Sequence, residues 1–219
     1  MKVGTDGVLL GAWADTGRVR KALDIGTGTG VIALMLAQRA PEAAVHAVEI
    51  DRDSYAQAYE NARRSPWAAR LQVHHSAIQD YAAHRNAEYD LILSNPPFFS
   101  GGTFSHNQDR NSVRHTVKLP HGDLLSAVRS LLGPQGRFSV VLPYIEGLRF
   151  QELAQSYRLY CRRVLEVKPR PQKPIERLLL EFERGEGKVQ KEQLVIQEAD
   201  SDEWTETYKA LTRDFYLKL

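Results

Sequence analysis

Short apolar runs alternate with longer mixed segments along the first 142 residues of the chain. The runs are rich in Val, Ile and Leu and are mostly apolar on both faces, which is typical of parallel strands covered by helices on both sides. They lie at residues 21–25, 45–50, 71–75, 89–94 and 136–142. The segments between them predict helices at residues 31–39, 54–64 and 123–132. We therefore predict an α/β domain with a mostly parallel, doubly wound sheet.

The pattern changes after residue 143. A helix is predicted at residues 146–156, followed by strands at 160–167 and 176–182 that have no helix between them and should pair antiparallel. The sheet is thus expected to have seven strands, the final one antiparallel. Residues 183–219 are expected to form an extension with a strand at 193–197 and a helix at 203–213. Because no long linker interrupts the pattern, residues 1–219 are interpreted as one domain.

Composition narrows the class of protein. Of the 219 residues, 42% are hydrophobic and 26% are charged, which argues against disorder and against a coiled coil. A domain of this length buries roughly 70% of the surface of its unfolded chain, so its core does not depend on disulfides or metals. One cysteine, no signal-peptide pattern and no apolar run of about 18 residues predict a cytoplasmic protein without a membrane partner. His74 and His75 have no acidic or cysteine partners at ligand spacing, so no metal site is expected.

The charge is unevenly distributed. The net charge is +2, but residues 158–177 carry seven basic and two acidic side chains, so that the other 199 residues sum to −3. A basic segment on a slightly acidic body suggests a polyanionic partner on one side. A solvated surface would explain the same pattern, and charge alone does not distinguish the two.

A glycine-rich turn, with glycine at positions 26, 28 and 30, follows the predicted strand 21–25, and a helix follows at once. Glycine lets the backbone turn sharply and bring a ligand against the free N–H groups at the start of that helix. Glu49, at the tip of the next strand, has the spacing at which a carboxylate accepts hydrogen bonds from both hydroxyls of a ribose. These features predict a nucleotide site that disfavours a 2′-phosphate.

Two details select the nucleotide. Dinucleotide binders place their third glycine one residue later, where this chain has Val31. The early glycine, preceded by Asp24, is the form found in methyltransferases that bind S-adenosylmethionine, whose ammonium Asp24 could face. Ala77 and Ile78 could line the adenine of this cofactor or could belong to the core. The candidate cofactor residues are Asp24, Gly26, Gly28, Gly30, Glu49, Ile50, Ala77 and Ile78.

The fourth strand runs into Asn95-Pro96-Pro97-Phe98, at the edge where open α/β sheets place their active sites. The amino nitrogen of adenine is conjugated with its ring, so methylating it requires two acceptors that draw its N–H bonds out of the ring plane. The Asn95 side-chain oxygen and the Pro96 carbonyl would supply these, held in fixed geometry by consecutive prolines. Phe98 offers a flat face to an extruded base, a contact worth about 1–3 kcal/mol. We interpret residues 95–98 as the catalytic loop.

The order of the glycine turn, Glu49 and the loop 95–98 resembles that of class I amino methyltransferases. Residues 2–13, 65–68 and 210–217 make the likeness narrower, and the whole chain resembles the bacterial valine-tRNA adenine-N6 methyltransferase family, which modifies adenosine 37 beside the anticodon. The resemblance implies a Rossmann-like fold, S-adenosylmethionine as cofactor and tRNA as partner. It also implies that residues 1–16 cover the cofactor and the reacting centre as a lid, with Thr5 and Asp6 as cofactor contacts. A monomer is expected.

Aromatic and basic residues are candidates for contacts with the RNA. The long loop at residues 100–122 carries Arg110 and Arg114, which could clamp phosphates around an inserted nucleotide. A proline-stiffened stretch at residues 168–174 would provide a second phosphate contact. The candidate substrate residues are Phe99, Arg110, Arg114, Lys168, Arg170 and Lys173. A flexible, solvated surface is the alternative interpretation of both stretches.

Two alternative functions remain open at this point. The same loop chemistry would accept a glutamine amide of a release factor, an adenine of DNA or a guanine amino group of ribosomal RNA, because each is an NH2 group on an sp2 carbon. A non-catalytic module that binds a nucleotide or RNA would also fit the glycine turn and the basic segment.

Overall fold

The computed structural model describes residues 4–86, 88–97 and 119–216 of the chain. Its strands are β1 (Lys21–Ile25), β2 (Ala44–Glu49), β3 (Leu71–His75), β4 (Tyr89–Ser94), β5 (Leu132–Pro143), β6 (Tyr160–Lys168), β7 (Arg177–Glu183) and β8 (Gln190–Val195). Its helices are α1 (Thr5–Trp13), α2 (Val31–Arg39), α3 (Arg52–Arg64), α4 (Ile78–Ala83), α5 (His121–Leu131), α6 (Tyr144–Ser156) and α7 (Glu206–Thr212), with one 3₁₀ turn at Ala68–Arg70.

All of these strands form one sheet, in the order β3-β2-β1-β4-β5-β7-β6-β8. β7 runs antiparallel to its neighbours β5 and β6, and every other neighbouring pair is parallel. The predicted fold class and the antiparallel pairing of β6 with β7 are confirmed. The sheet has eight strands rather than the expected seven, because the strand of the C-terminal extension joins it by pairing parallel with β6. The antiparallel strand β7 lies inside the sheet, between β5 and β6.

Successive hydrophobic side chains of a strand pack on opposite faces of the sheet, because side chains alternate between the two faces along a strand. In β4, Leu91 and Leu93 belong to one core cluster and Ile92 belongs to the other. The first cluster is covered by α1, α2, α3 and α7, and the second by α4, α5 and α6. The result is a three-layer α/β/α arrangement in which the carboxyl ends of the parallel strands share one rim.

Several boundaries differ from the sequence prediction. The final strand lies at Gln190–Val195 rather than 193–197, and the final helix is shortened to Glu206–Thr212. β5 starts at Leu132, directly after α5, and a Cβ on Gly136 would lie only 2.6 Å from the Tyr89 carbonyl oxygen. Glycine is thus required where β5 passes β4, whereas the sequence marks position 136 only as the first residue of the predicted strand 136–142. The helices α1 and α4 were not predicted.

The N-terminal helix α1 is a packed part of the core. All seven of its residues from Gly7 onward are buried, and the Arg39 guanidinium donates to the carbonyl oxygens of Gly11 and Ala14, both at 2.7 Å. The Arg163 guanidinium lies 4.5 Å from the centre of the Trp13 ring. Only Thr5 and Asp6 of the helix remain at the surface, and the lid predicted over residues 1–16 stays a prediction. In the described part of the chain, no helix has the length and apolar character needed to cross a membrane.

Candidate active site

The glycine turn after β1 has the conformation that its sequence predicts. Gly26, Gly28 and Gly30 have φ angles of 69°, 59° and 88°, a left-handed region that only glycine occupies at little cost. The Gly26 and Thr27 N–H groups donate to the Val48 carbonyl oxygen at 2.9 and 3.2 Å, which ties the turn to β2. α2 starts at Val31 without a side-chain cap. The turn therefore presents backbone donors at a helix N-terminus.

Glu49 closes the turn from the tip of β2. One carboxylate oxygen accepts from the Gly28 N–H at 2.8 Å, and the other accepts from the N–H groups of Ile50 and Asp51, both at 2.9 Å. A carboxylate offers about four acceptor positions, so these three bonds leave one, on the oxygen that faces Gly28. The turn itself thus engages three acceptor positions of Glu49, and the fourth is available to one of the two ribose hydroxyls that the sequence predicts.

Asp24 is fully buried at the end of β1, beneath the same turn. Its Oδ2 accepts a hydrogen bond from the Thr27 hydroxyl, while its Oδ1 has no partner within ordinary hydrogen-bond geometry among the described residues. Burial raises the pKa of this carboxyl to about 7, although the Thr27 hydroxyl and the nearby Ala33 N–H lower it in part. A buried carboxyl with an unsatisfied oxygen is costly to keep in a fold, and a cationic ligand would compensate that cost.

The remaining cofactor candidates differ in accessibility. Ile50 follows β2 and is 41% exposed at the rim, and Ala77, before α4, is partly exposed. Ile78 is only 5% exposed and packs in the second core cluster, which agrees with the core interpretation that the sequence left open. Its side chain does not present an open surface to a ligand.

Asn95 lies beside the glycine turn because β1 and β4 are adjacent and in register. Ile25 is paired with Ser94, and the Ser94 hydroxyl donates to the Ile25 carbonyl oxygen at 2.9 Å. The next residues, Gly26 and Asn95, therefore leave the sheet side by side, at strands about 4.8 Å apart. Pro96 is buried and Pro97 is exposed, so the loop is anchored at its first proline.

A cleft of about 590 Å³ opens on the other side of Asn95. Its walls come from the start of α1, the ends of β6 and β8, the start of β7, and Trp204. Asp6 accepts a hydrogen bond from Arg177 Nε at 3.0 Å, an ion pair that joins α1 to β7 within the cleft. A Cβ on Gly7 would lie 3.7 Å from Asn95 Nδ2, so α1 passes directly beside the amide. Thr5 and Asp6, expected as cofactor contacts, thus face the cleft beyond Asn95.

Sequence reasoning missed most of this cleft. Nothing in the sequence distinguishes Trp204 from a packing residue, and no pattern links residues 177, 197 or 204 to Asn95. Only the pairing of β8 with β6 brings the C-terminal extension to the same rim. The signal that points to the cleft is the strand predicted at residues 193–197. The sequence places this strand in the C-terminal extension but does not indicate which strand it pairs with.

The basic segment 158–177 is largely paired within the protein. Four of its arginines form ion pairs: Arg162 with Glu183, Arg163 with Glu181 and Glu192, Arg170 with Asp202, and Arg177 with Asp6. Much of its local charge is therefore used to hold β6, β7 and β8 together. Fewer basic side chains of the segment 158–177 are thus available to a polyanionic partner than its net charge suggests.

Arg170 is fixed by the loop that follows β8. Its guanidinium donates to the carbonyl oxygens of Glu198, Ala199 and Ser201 in addition to its ion pair with Asp202. We therefore interpret Arg170 as a residue that holds the wall of the cleft in place rather than as a phosphate contact. Lys168 donates to the Pro171 carbonyl oxygen at 3.1 Å, and Lys173 is exposed. Four other predicted site residues, Phe98, Phe99, Arg110 and Arg114, lie outside the described residues.

Comparison with known proteins agrees with this geometry. A family model described as "Methyltransferase small domain" matches residues 4–143. The tRNA1(Val) (adenine(37)-N6)-methyltransferase of Trichodesmium erythraeum is 46% identical over 220 residues, covering 100% of this chain and 92% of that protein. The protein of the same name from Serratia proteamaculans is 44% identical and covers 99% of this chain and 84% of its own length.

A solved structure supports the fold. The crystal structure of a predicted O-methyltransferase from Agrobacterium tumefaciens superimposes with a TM-score of 0.74 at 17% identity, covering 95% of this chain and 96% of that one. The matches in sequence cover the glycine turn, Asn95 and the C-terminal strands together. The chain therefore belongs to the methyltransferase small domain family and, within it, to the tRNA1(Val) (adenine(37)-N6)-methyltransferases.

Proposed function

We propose that this protein transfers a methyl group from S-adenosylmethionine to N6 of adenosine 37, beside the anticodon of a valine tRNA. The observation that carries the proposal is the 46% identity over the whole chain to a tRNA1(Val) (adenine(37)-N6)-methyltransferase. The register of Ile25 with Ser94, which places the glycine turn and Asn95 side by side at one rim, supports the transfer chemistry. We further propose that the protein acts as a monomer in the cytoplasm, with tRNA as its partner.

The residues of the turn fit this cofactor. Among the described residues, one buried oxygen of Asp24 has no hydrogen-bond partner, and the methionine ammonium of S-adenosylmethionine is a cation that would satisfy it. Glu49 retains one acceptor position for a ribose hydroxyl, while Ile50 and Ala77 remain accessible for the adenine. When bound, the cofactor supplies an electrophilic methyl group on a sulfonium sulfur.

The catalytic loop acts on the acceptor nitrogen. The Asn95 side-chain oxygen accepts a hydrogen bond from one N6–H group, and the Pro96 carbonyl oxygen accepts a hydrogen bond from the other. These bonds weaken the conjugation of the N6 lone pair with the adenine ring. The lone pair of N6 would then point toward the methyl group of the bound cofactor. Transfer would form the N–C bond as the C–S bond of the sulfonium breaks to leave a neutral thioether, and N6 would then lose a proton to water. Pro96 and Pro97 keep both acceptors fixed, so that little reorganisation is needed. Phe98 holds the base by stacking.

Contacts with the RNA backbone complete the proposal. Lys168 and Lys173 lie at the end of β6 and in the loop after it, on the cleft side of the rim, and we assign them to phosphates. Arg110 and Arg114 are assigned to phosphates around the target nucleotide, and Phe99 to the target base. Such contacts position the RNA without reading its sequence.

The test is direct mapping of the product. The protein is incubated with isotopically labelled methyl donor and separate pools of unmodified tRNA, ribosomal RNA, DNA and protein, and modified nucleosides are mapped by mass spectrometry. We expect N6-methyladenosine at position 37 of a valine tRNA. Label in another pool, or at another tRNA position, would refute the assignment.

A further inference from the structure

The cleft beside Asn95 is longer than one target nucleotide requires. Four strand intervals separate β4 from β8 in the sheet, which corresponds to about 19 Å along the rim. Successive stacked bases are only about 3.4 Å apart along a strand. Asn95 lies at one end of this distance and the β8 side of the cleft lies at the other. The cleft therefore has room for nucleotides next to the target.

The far end of the cleft contains a rigidly held aromatic ring. The indole of Trp204 is stacked on the ring of Tyr208 with a centroid separation of 4.9 Å and an interplanar angle of 25°. Tyr208 is fully buried, and its hydroxyl lies 3.1 Å from that of Tyr216. Trp204 is also held by a β-bridge to Gln197. The half-buried indole packs against the first core cluster and also lines the cleft, so part of its surface faces the space that a planar guest would enter.

The hydrogen bonds of Arg170 hold the same wall of the cleft in place. Arg170 joins the loop after β6 to residues 198–202, which directly precede Trp204. The Thr205 hydroxyl caps α7 by accepting from the Tyr208 N–H at 3.2 Å. The ring therefore has little freedom to lose when a base stacks on it, which favours binding.

We propose that Trp204 forms a second base subsite, which stacks a nucleotide of the anticodon loop adjacent to the methylated adenosine. This inference rests on the proposed function, because it needs a single-stranded RNA loop in the cleft. Stacking of a base on an aromatic side chain is tolerant of sequence, so the subsite would position the loop rather than read it. Trp204 would be a positioning residue that acts on RNA affinity, while Asn95 acts on turnover.

A double-mutant cycle on RNA binding tests this subsite. Anticodon stem-loop RNAs, each with an abasic site at one loop position, are titrated against cofactor-free wild-type protein and Trp204→Leu. We expect Trp204→Leu to weaken binding of the intact RNA at least about fivefold, the factor that corresponds to about 1 kcal/mol. For one abasic position next to the target, the affinity of wild-type protein should fall by the same factor as Trp204→Leu causes with the intact RNA. In Trp204→Leu, the same abasic position should cause no further loss of affinity.

Two controls protect the result. Trp204→Phe should retain most of the affinity, and Trp67→Leu, which changes another half-buried tryptophan away from the cleft, should leave it unchanged. Should Trp204→Leu melt early, tryptophan fluorescence of the wild type and Trp204→Phe gives the same answer. RNA should quench the wild type more strongly than Trp204→Phe, and the abasic RNA should remove that difference.

The inference is overturned by affinity within about twofold of wild type in folded Trp204→Leu, by effects that add on every abasic RNA, or by identical quenching in wild type and Trp204→Phe. Failure of the proposed function is a separate outcome. It would appear as intact coupling between Trp204 and the loop without methylation of position 37, since the binding cycle uses no methyl donor.

Discussion

The Ser94 hydroxyl donates a hydrogen bond to the Ile25 carbonyl oxygen at 2.9 Å, between two paired residues of β4 and β1. Both strands end at this pair, and each is followed by residues that we assign to one of the two reactants. The glycine turn for the methyl donor follows Ile25, and Asn95 for the acceptor follows Ser94. One buried hydrogen bond thus joins the two halves of the active site.

Removing this bond should affect turnover more than folding. Ser94→Ala deletes the hydroxyl and is expected to lower the free energy of unfolding by about 1 kcal/mol, the usual net worth of such a bond. Because the glycine turn and Asn95 then lose the side-chain bond that reinforces the backbone pairing of β1 with β4, kcat should fall several-fold more than KM for tRNA changes. Denaturant melts and steady-state kinetics measure both. Ser139→Ala, another buried serine in the interior of the sheet, should lower stability without changing kcat; equal effects of the two variants on kcat would contradict the role of Ser94.

Cofactor affinity should depend on pH through Asp24. Its pKa is raised to about 7 without ligand, so below that pH a cationic ligand must displace a proton before it binds. We expect the Kd for S-adenosylmethionine to rise by up to tenfold per pH unit below about 7 and to be independent of this group above it. Calorimetry in buffers of different ionisation enthalpy should detect the released proton. Asp24→Asn should bind weakly with no such slope, and an unchanged slope in that variant would assign the titration elsewhere.

The same group should set a pH dependence of stability in the cofactor-free protein. A carboxyl whose folded pKa lies above its ordinary value of 3.8 binds a proton more strongly when folded. Its favourable contribution is complete below about pH 3.8 and is lost as the pH rises through about 7. Asp24→Asn, which stays neutral, should therefore be more stable than wild type at pH 8. A lower melting temperature of the variant at that pH would contradict this account.

Lys173 and Arg170 should respond in opposite ways, although they are neighbours. Lys173→Glu is expected to raise the KM for tRNA and to reduce the salt dependence of binding by about one phosphate contact. Arg170→Ala should instead lower the melting temperature, because it frees three carbonyl oxygens and Asp202, and should leave the salt dependence unchanged. Lys188→Glu, in the turn between β7 and β8 at the opposite rim, is the matched control. A reduced salt slope in Arg170→Ala would restore it as a phosphate contact.

The features that could be predicted from sequence are those determined within a short stretch of chain. The glycine turn is fixed by the φ angles it requires, and Asn95 follows a strand whose apolar residues already predict its end at the rim. Arg170 could not be assigned in this way, since its partner Asp202 lies 32 residues away and is reached only after β8 has joined the sheet. Trp204 enters the cleft for the same reason. α1 was missed because it is buried on nearly all sides and therefore shows no amphipathic pattern.

The central claim is that Asn95 acts on the acceptor nitrogen and not on the cofactor. The most direct measurement compares Asn95→Ala with wild type in two assays: single-turnover methylation of a valine tRNA and calorimetric binding of S-adenosylmethionine. We expect the rate of transfer to fall by at least about 10²-fold, the scale seen when one oriented hydrogen-bonding group is lost from an active site, while the Kd of the cofactor stays within about twofold. Transfer at a rate near that of wild type, or loss of cofactor binding in parallel with activity, would contradict the account.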